Sequence, residues 1–145
     1  MPDKIMISCP ECGATNAYPA EAGRKAVVCG RCKTPLPAPG SVLEPSPEQA
    51  MAMIERAKLP LLLDFSSPTC MPCHMMAPIL ESLAKRRAGS LMVLKLETEI
   101  HSELAAAFKI QAVPTFLVMK GGFEIGRATG AMNETDFSLW VASKA

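Results

Sequence analysis

Every cysteine in this chain has a second cysteine three positions away. The six form three pairs, Cys9/Cys12, Cys29/Cys32 and Cys70/Cys73, each enclosing two residues. That spacing constrains the fold more than any other feature. Two residues between cysteines let one tight turn aim both sulfurs at a common target, either a metal ion or each other. In a reducing compartment such pairs read as metal ligands or redox dithiols rather than structural disulfides.

The first two pairs, Cys9-Pro10-Glu11-Cys12 and Cys29-Gly30-Arg31-Cys32, stand 16 residues apart. Two such turns supply four thiolates in a tetrahedron, the arrangement of a structural zinc site with no open coordination position. We therefore expect residues 1–34 to form a small ribbon around one Zn2+ held by Cys9, Cys12, Cys29 and Cys32. A segment this short buries too little core to fold alone, so the metal must provide most of its folding free energy. Two local disulfides, a metal-free disordered segment, or an iron site of similar geometry are the competing readings. The basic residues Lys4, Arg24, Lys25, Arg31 and Lys33 are offset by Asp3, Glu11 and Glu21, and the net charge of the chain is +1. Nucleic-acid binding is not expected from so thin an excess.

Residues 35–41, Pro35-Leu36-Pro37-Ala38-Pro39-Gly40-Ser41, read as a semi-rigid extended linker. Residues 42–145 carry an α/β pattern. Ser46, Pro47 and Gln49 open a helix with a capping box, and it should run to about Lys58. Leu59 to Phe65 is a nearly unbroken apolar run, the mark of a strand buried on both faces. After Cys73, Met76, Ile79, Leu80 and Leu83 recur at helical spacing, interrupted by Pro78. Strands are expected at Leu91–Leu96, Thr115–Met119 and Phe123–Ala128, with a hairpin turn at Lys120-Gly121-Gly122. A short helix should cover Ser102–Phe108. Asn133 should cap a last helix presenting Phe137, Trp140 and Val141. The order α-β-α-β-α-β-β-α implies a mixed sheet with helices on both faces.

No apolar run approaches the roughly 20 residues that span a bilayer. The N-terminus lacks the apolar core of a secretory signal, so the expected location is the cytoplasm, with no membrane contact.

Cys70-Met71-Pro72-Cys73 lies between a buried strand and the start of a helix. Unsatisfied backbone N–H groups and the positive end of the helix dipole stabilise a thiolate there. Cys70 is the expected nucleophile and Cys73 the resolving thiol: Cys70 attacks a substrate disulfide, then Cys73 attacks Cys70 and releases the reduced substrate. Pro72 restricts the backbone between them. A third metal knuckle would need two more ligands, and only His74 and His101 remain.

The run Leu62-Leu63-Asp64-Phe65, then Cys70-x-Pro72-Cys73, Met76-Ala77-Pro78-Ile79-Leu80, Val113-Pro114-Thr115-Phe116, Lys120-Gly121-Gly122 and Gly130-Ala131 resembles the thioredoxin family. The resemblance covers about residues 42–145 and implies the thioredoxin fold. With the four-cysteine ribbon in front, the chain resembles the zinc-ribbon-bearing thioredoxin-2 type, with a variant Cys-Met-Pro-Cys site. The resemblance implies that Asp64 is the buried acid handling the proton of the resolving cysteine and that Lys95 is its basic neighbour. It implies that Pro114 is a cis-proline against the dithiol, that Val113 presents its backbone to substrate, and that Gly130 lies near the substrate surface with Met71 and Pro72.

Family members have Trp-Cys-Gly-Pro-Cys with another tryptophan shortly before. Here Thr69 precedes Cys70, Met71 sits inside the motif, Ser66-Ser67-Pro68 takes the place of the upstream tryptophan, and His74 replaces the usual basic residue. The loss of two aromatics removes flat contact surface, and Met71 puts a flexible apolar side chain beside the nucleophile. The expected activity is protein-disulfide reduction, with disulfide-bearing proteins as substrates and an NADPH-dependent thioredoxin reductase as recycling partner. No organic cofactor is expected. A more oxidising oxidase or isomerase, and a non-enzymatic zinc–thiolate redox sensor and binding module, are the alternatives.

Overall fold

The central strand follows from its residues. Four of the six residues of Leu61-Leu62-Leu63-Asp64-Phe65-Ser66 are apolar, and all six are buried. In the computed structural model, which describes residues 4–8, 12, 14–19, 28–33, 42–56, 59–87 and 90–145, this strand lies in the middle of a five-stranded mixed sheet. Chain order runs β1 (Lys4–Ser8), β2 (Thr15–Pro19), β3 (Val42–Leu43), α1 (Pro47–Arg56), β4 (Leu61–Ser66) and α2 (Met71–Arg86). It continues β5 (Met92–Glu97), α3 (Ser102–Ala107), β6 (Thr115–Lys120), β7 (Phe123–Thr129) and α4 (Glu134–Lys144).

The sheet order is β3-β5-β4-β6-β7. β4 pairs parallel with β5 and antiparallel with β6, while β7 returns antiparallel beside β6. The Gly121 and Gly122 turn between β6 and β7 needs glycine, because both residues have positive φ, 60° and 85°. β1 and β2 form a separate antiparallel pair.

Alternation along β4 divides the core in two. Leu61, Leu63 and Phe65 pack with Ala50, Met53 and Ile54 of α1 and Leu104 of α3. Leu62 points the other way, into a cluster with Met76, Leu80 and Leu83 of α2 and Phe137 and Val141 of α4. Phe116 meets Phe137 edge-on, with ring centroids 4.8 Å apart.

The helix starts behave as their sequences require. The Ser46 hydroxyl accepts from the Gln49 N–H at 3.2 Å, and the Gln49 side chain accepts from the Ser46 N–H at 2.9 Å. The Asn133 side chain accepts from the Asp136 N–H at 2.8 Å. α2 starts at Met71, directly after Cys70: Pro72 fits a first helical turn, where no backbone donor is needed. The expected end of α1 at Lys58 and the linker at 35–41 lie outside the described residues. Among the described residues no helix is long and apolar enough to cross a membrane.

Candidate active site and metal centre

Cys70 is the N-cap of α2, and its sulfur accepts the Cys73 N–H at 3.2 Å. The β4-to-α2 turn places it there, tied by the Cys70 N–H donating to the Ser67 carbonyl at 3.2 Å. Cys70 and Cys73 are joined in a disulfide, with Cα atoms 5.2 Å apart. Cys70 is half-buried and Cys73 buried. The outer position thus belongs to Cys70, whose sulfur lies 3.7 Å from the Val113 carbonyl.

Val113 precedes Pro114, and the bond between them is cis. Pro114 is buried, and its carbonyl accepts the Gly130 N–H at 2.9 Å. The loop before β6 and the end of β7 are therefore fastened together beside the dithiol. Met71 and Pro72 are exposed on the first turn of α2, with Met75 exposed one turn on. His74 is exposed too, but its Nε2 makes a 2.7 Å hydrogen bond with the Pro68 carbonyl. It straps the helix to the preceding turn, a role its sequence position did not suggest.

Asp64 is 3% exposed, and its Oδ1 has no hydrogen-bond partner among the described residues. It shares the face of β4 with Leu62, the face that α2 covers. Burial pushes its carboxyl up to about 7, against the pull of the Lys95 ammonium. Lys95 is half-buried on β5, opposite Asp64 in register. A carboxyl held near neutrality can accept a proton and give it back at physiological pH. Ser66, next on that face, is also buried with its Oγ unpartnered among the described residues.

The structure brings Cys12, Cys29 and Cys32 together, with their sulfurs all within 4.8 Å of one another. The Cys12 and Cys29 sulfurs are 3.6 Å apart. A tetrahedron of thiolates at about 2.3 Å from zinc has edges of about 3.8 Å, so this donor set fits a thiophilic metal ion. Cys9, the fourth expected ligand, lies outside the described residues. Cys29 is buried in the cluster that holds Ala50, Leu61 and Phe65, and Cys12 and Ala14 pack against it. β1 lies against α1. The cysteine turn is thus built into the α1 side of the sheet, opposite the face that α2 covers. The Cys29 thiol is drawn down to about 6, first by the Cys32 backbone N–H and next by the Asn16 carboxamide. The Arg31 N–H and Cys12 add to this, while burial opposes it. Asn16 carries none of the residue types by which a ligand is recognised in sequence, and its contact with Cys29 emerges only in three dimensions.

The thioredoxin family model matches residues 41–143. Thioredoxin C-3 of Corynebacterium nephridii is 31% identical over 137 residues, which cover 94% of this chain and 93% of that protein. Thioredoxin of Haemophilus influenzae is 31% identical over 90 residues, covering 62% of this chain and 84% of the relative. The bifunctional thioredoxin reductase/thioredoxin of Mycobacterium leprae is 33% identical over 92 residues, covering 63% of this chain and 20% of that protein.

Proposed function

The chain belongs to the thioredoxin family and is a thioredoxin-type protein-disulfide reductase, and on that premise we propose how its own residues carry the exchange. Cys70 is the attacking nucleophile. The observation that supports this is its place at the α2 N-cap, where its sulfur accepts a backbone N–H and stands outermost of the pair. The Cys70 thiolate attacks one sulfur of a substrate disulfide, forming a mixed disulfide and expelling the other sulfur as a thiolate. The Cys73 thiol then gives its proton to the Asp64 carboxylate. The resulting Cys73 thiolate attacks the Cys70 sulfur and expels the second substrate sulfur. Two electrons have passed to the substrate, and Cys70 and Cys73 are left joined. Asp64 returns the proton to the departing thiolate, and Lys95 limits how far burial raises the carboxyl.

Met71, Pro72, Val113, Pro114 and Gly130 form the substrate surface. Val113 offers its backbone to an extended segment, in the manner of an added strand. The return to the dithiol form falls to an NADPH-dependent thioredoxin reductase. A relative in which reductase and thioredoxin are one chain supports that pairing.

The chain divides into a ribbon at 1–34, a linker at 35–41 and a thioredoxin domain at 42–145, the zinc-ribbon-bearing thioredoxin-2 arrangement. Cys12, Cys29 and Cys32, with Cys9, hold one Zn2+. A zinc ion bound by four thiolates supplies a cross-link between the two turns and no catalytic position. The protein works in the cytoplasm, where its thiols stay reduced.

Insulin disulfide reduction with dithiothreitol tests the assignment. The wild type should be active and Cys70→Ser inactive. An active Cys70→Ser variant would remove Cys70 from the nucleophile's role.

A further inference from the structure

We propose that Asn16 is the positioning residue of the metal centre, holding the Cys29 turn against β2 so that the Cys29 sulfur faces the other thiols. This rests on the metal reading given above. One carboxamide makes three hydrogen bonds. Its Nδ2 donates to the Ala14 carbonyl at 3.1 Å and to the Cys29 sulfur at 3.4 Å. Its Oδ1 accepts the Gly30 N–H at 2.9 Å. An Asn side chain has two N–H donors and one carbonyl oxygen, so both donors and the acceptor are engaged. The network also fixes which way the amide points. Turned over, its oxygen would face the Ala14 carbonyl and its nitrogen the Gly30 N–H.

The geometry explains why an amide serves here. The Cys29 sulfur also accepts the Arg31 N–H at 3.4 Å. The Asn16 donor adds a contact from outside the Cys29 turn, across 13 positions of sequence. That contact pins the second cysteine pair to the strand that follows the first. Donors around a thiolate ligand orient it and stabilise its charge, and loss of such a partner typically weakens metal affinity about 10- to 100-fold. An aspartate in the same place keeps the shape and the bond from Gly30. It replaces the donor facing Cys29 with an acceptor that repels the thiolate.

Zinc competition against a chromophoric chelator tests the proposal. The full-length chain is used in a Cys70→Ser/Cys73→Ser background, so that only the N-terminal thiols bind. Asn16→Ala should lower the zinc affinity about 10- to 100-fold, and Asn16→Asp, close to isosteric, should lower it at least as far. The thiolate-to-metal absorption of the cobalt(II) form should shift in both variants, a signature that a general loss of stability does not produce. Wild-type affinity and an unshifted cobalt spectrum in both variants would overturn the role of Asn16 alone. A reduced wild type that takes up neither zinc nor cobalt would overturn the metal reading and this proposal with it.

Discussion

Asp64 stands directly opposite Lys95 in the parallel register of β4 and β5, yet its Oδ1 has no hydrogen-bond partner among the described residues. A lysine neighbour alone would favour the carboxylate. Burial outweighs it, and the carboxyl titrates at about 7 instead of the ordinary 3.8. The folded chain therefore keeps a proton that the unfolded chain has lost.

That difference sets a pH dependence of stability. Below pH 4 both states carry the proton and the stability is full. It falls as pH rises, and levels off once pH passes about 7. At about 1.4 kcal/mol per unit, the loss across the window is roughly 4 kcal/mol. Asp64→Asn should be more stable than wild type at pH 8 by about that amount, with the gap closing near pH 4. Urea titrations of both proteins at the two pH values measure it. An equal gap at both would mean that Asp64 is not held protonated.

Asp64→Asn should also slow the second half of the exchange at neutral pH, about 100-fold or more, as expected when a general base is removed. The first attack by Cys70 should be little changed. Rapid-quench separation of mixed-disulfide formation from its resolution distinguishes the two steps.

Cys73→Ser should leave Cys70 able to attack and unable to be released. Mixed disulfides with substrate should accumulate, visible as a mass increase that dithiothreitol reverses. Cys70→Ser should give none under the same conditions. Trapping through Cys73 in the Cys70→Ser variant would reverse the order of the two sulfurs.

Removal of metal should destabilise the whole chain, because Cys29 is buried among the residues of α1 and β4. Metal at a thousand times its dissociation constant stabilises by about 4 kcal/mol. Chelation of the reduced protein should therefore lower Tm by about 10 °C. Differential scanning calorimetry with and without chelator reads the shift. A thioredoxin domain melting at the same temperature in both would mean that the cysteine turn lends it no support.

Phe137→Ala should cost about 3–5 kcal/mol. Phe137 is fully buried and meets Phe116 edge-on, linking α4 to β6. Denaturant unfolding monitored by far-UV circular dichroism gives the value, and a loss below about 1 kcal/mol would contradict this packing.

Much of the fold could be read because local chemistry and burial agreed. The apolar run became β4, the Ser46–Gln49 box opened α1, Asn133 capped α4, and Gly121-Gly122 turned the hairpin. β3 has only Val42 and Leu43, too short for any periodicity, and its pairing with β5 is a tertiary event. β1 and β2 lie in a segment whose sequence pattern is dominated by cysteine spacing, although Ile5-Met6-Ile7 is strand-like. The pairing of the cysteines was legible because their spacings are local: one pair is joined in a disulfide, and Cys12, Cys29 and Cys32 lie together. What placed Cys29 in the main core, Asn16 on its sulfur and His74 on the Pro68 carbonyl was contact between residues distant in sequence or folded back on a turn.

The sheet lies between two sets of sulfurs. Cys29 is embedded on the side of α1 and α3, while Cys73 belongs to α2, which packs on the other side. Thiols exchange only when a sulfur can approach a disulfide end-on, and a packed layer of Leu61, Leu62, Leu63 and Phe65 gives no passage. One small chain can thus keep an exchanging pair and a second cluster of sulfurs on opposite faces of one sheet. The strand that positions the dithiol is also the insulation that keeps its oxidation from spreading inward.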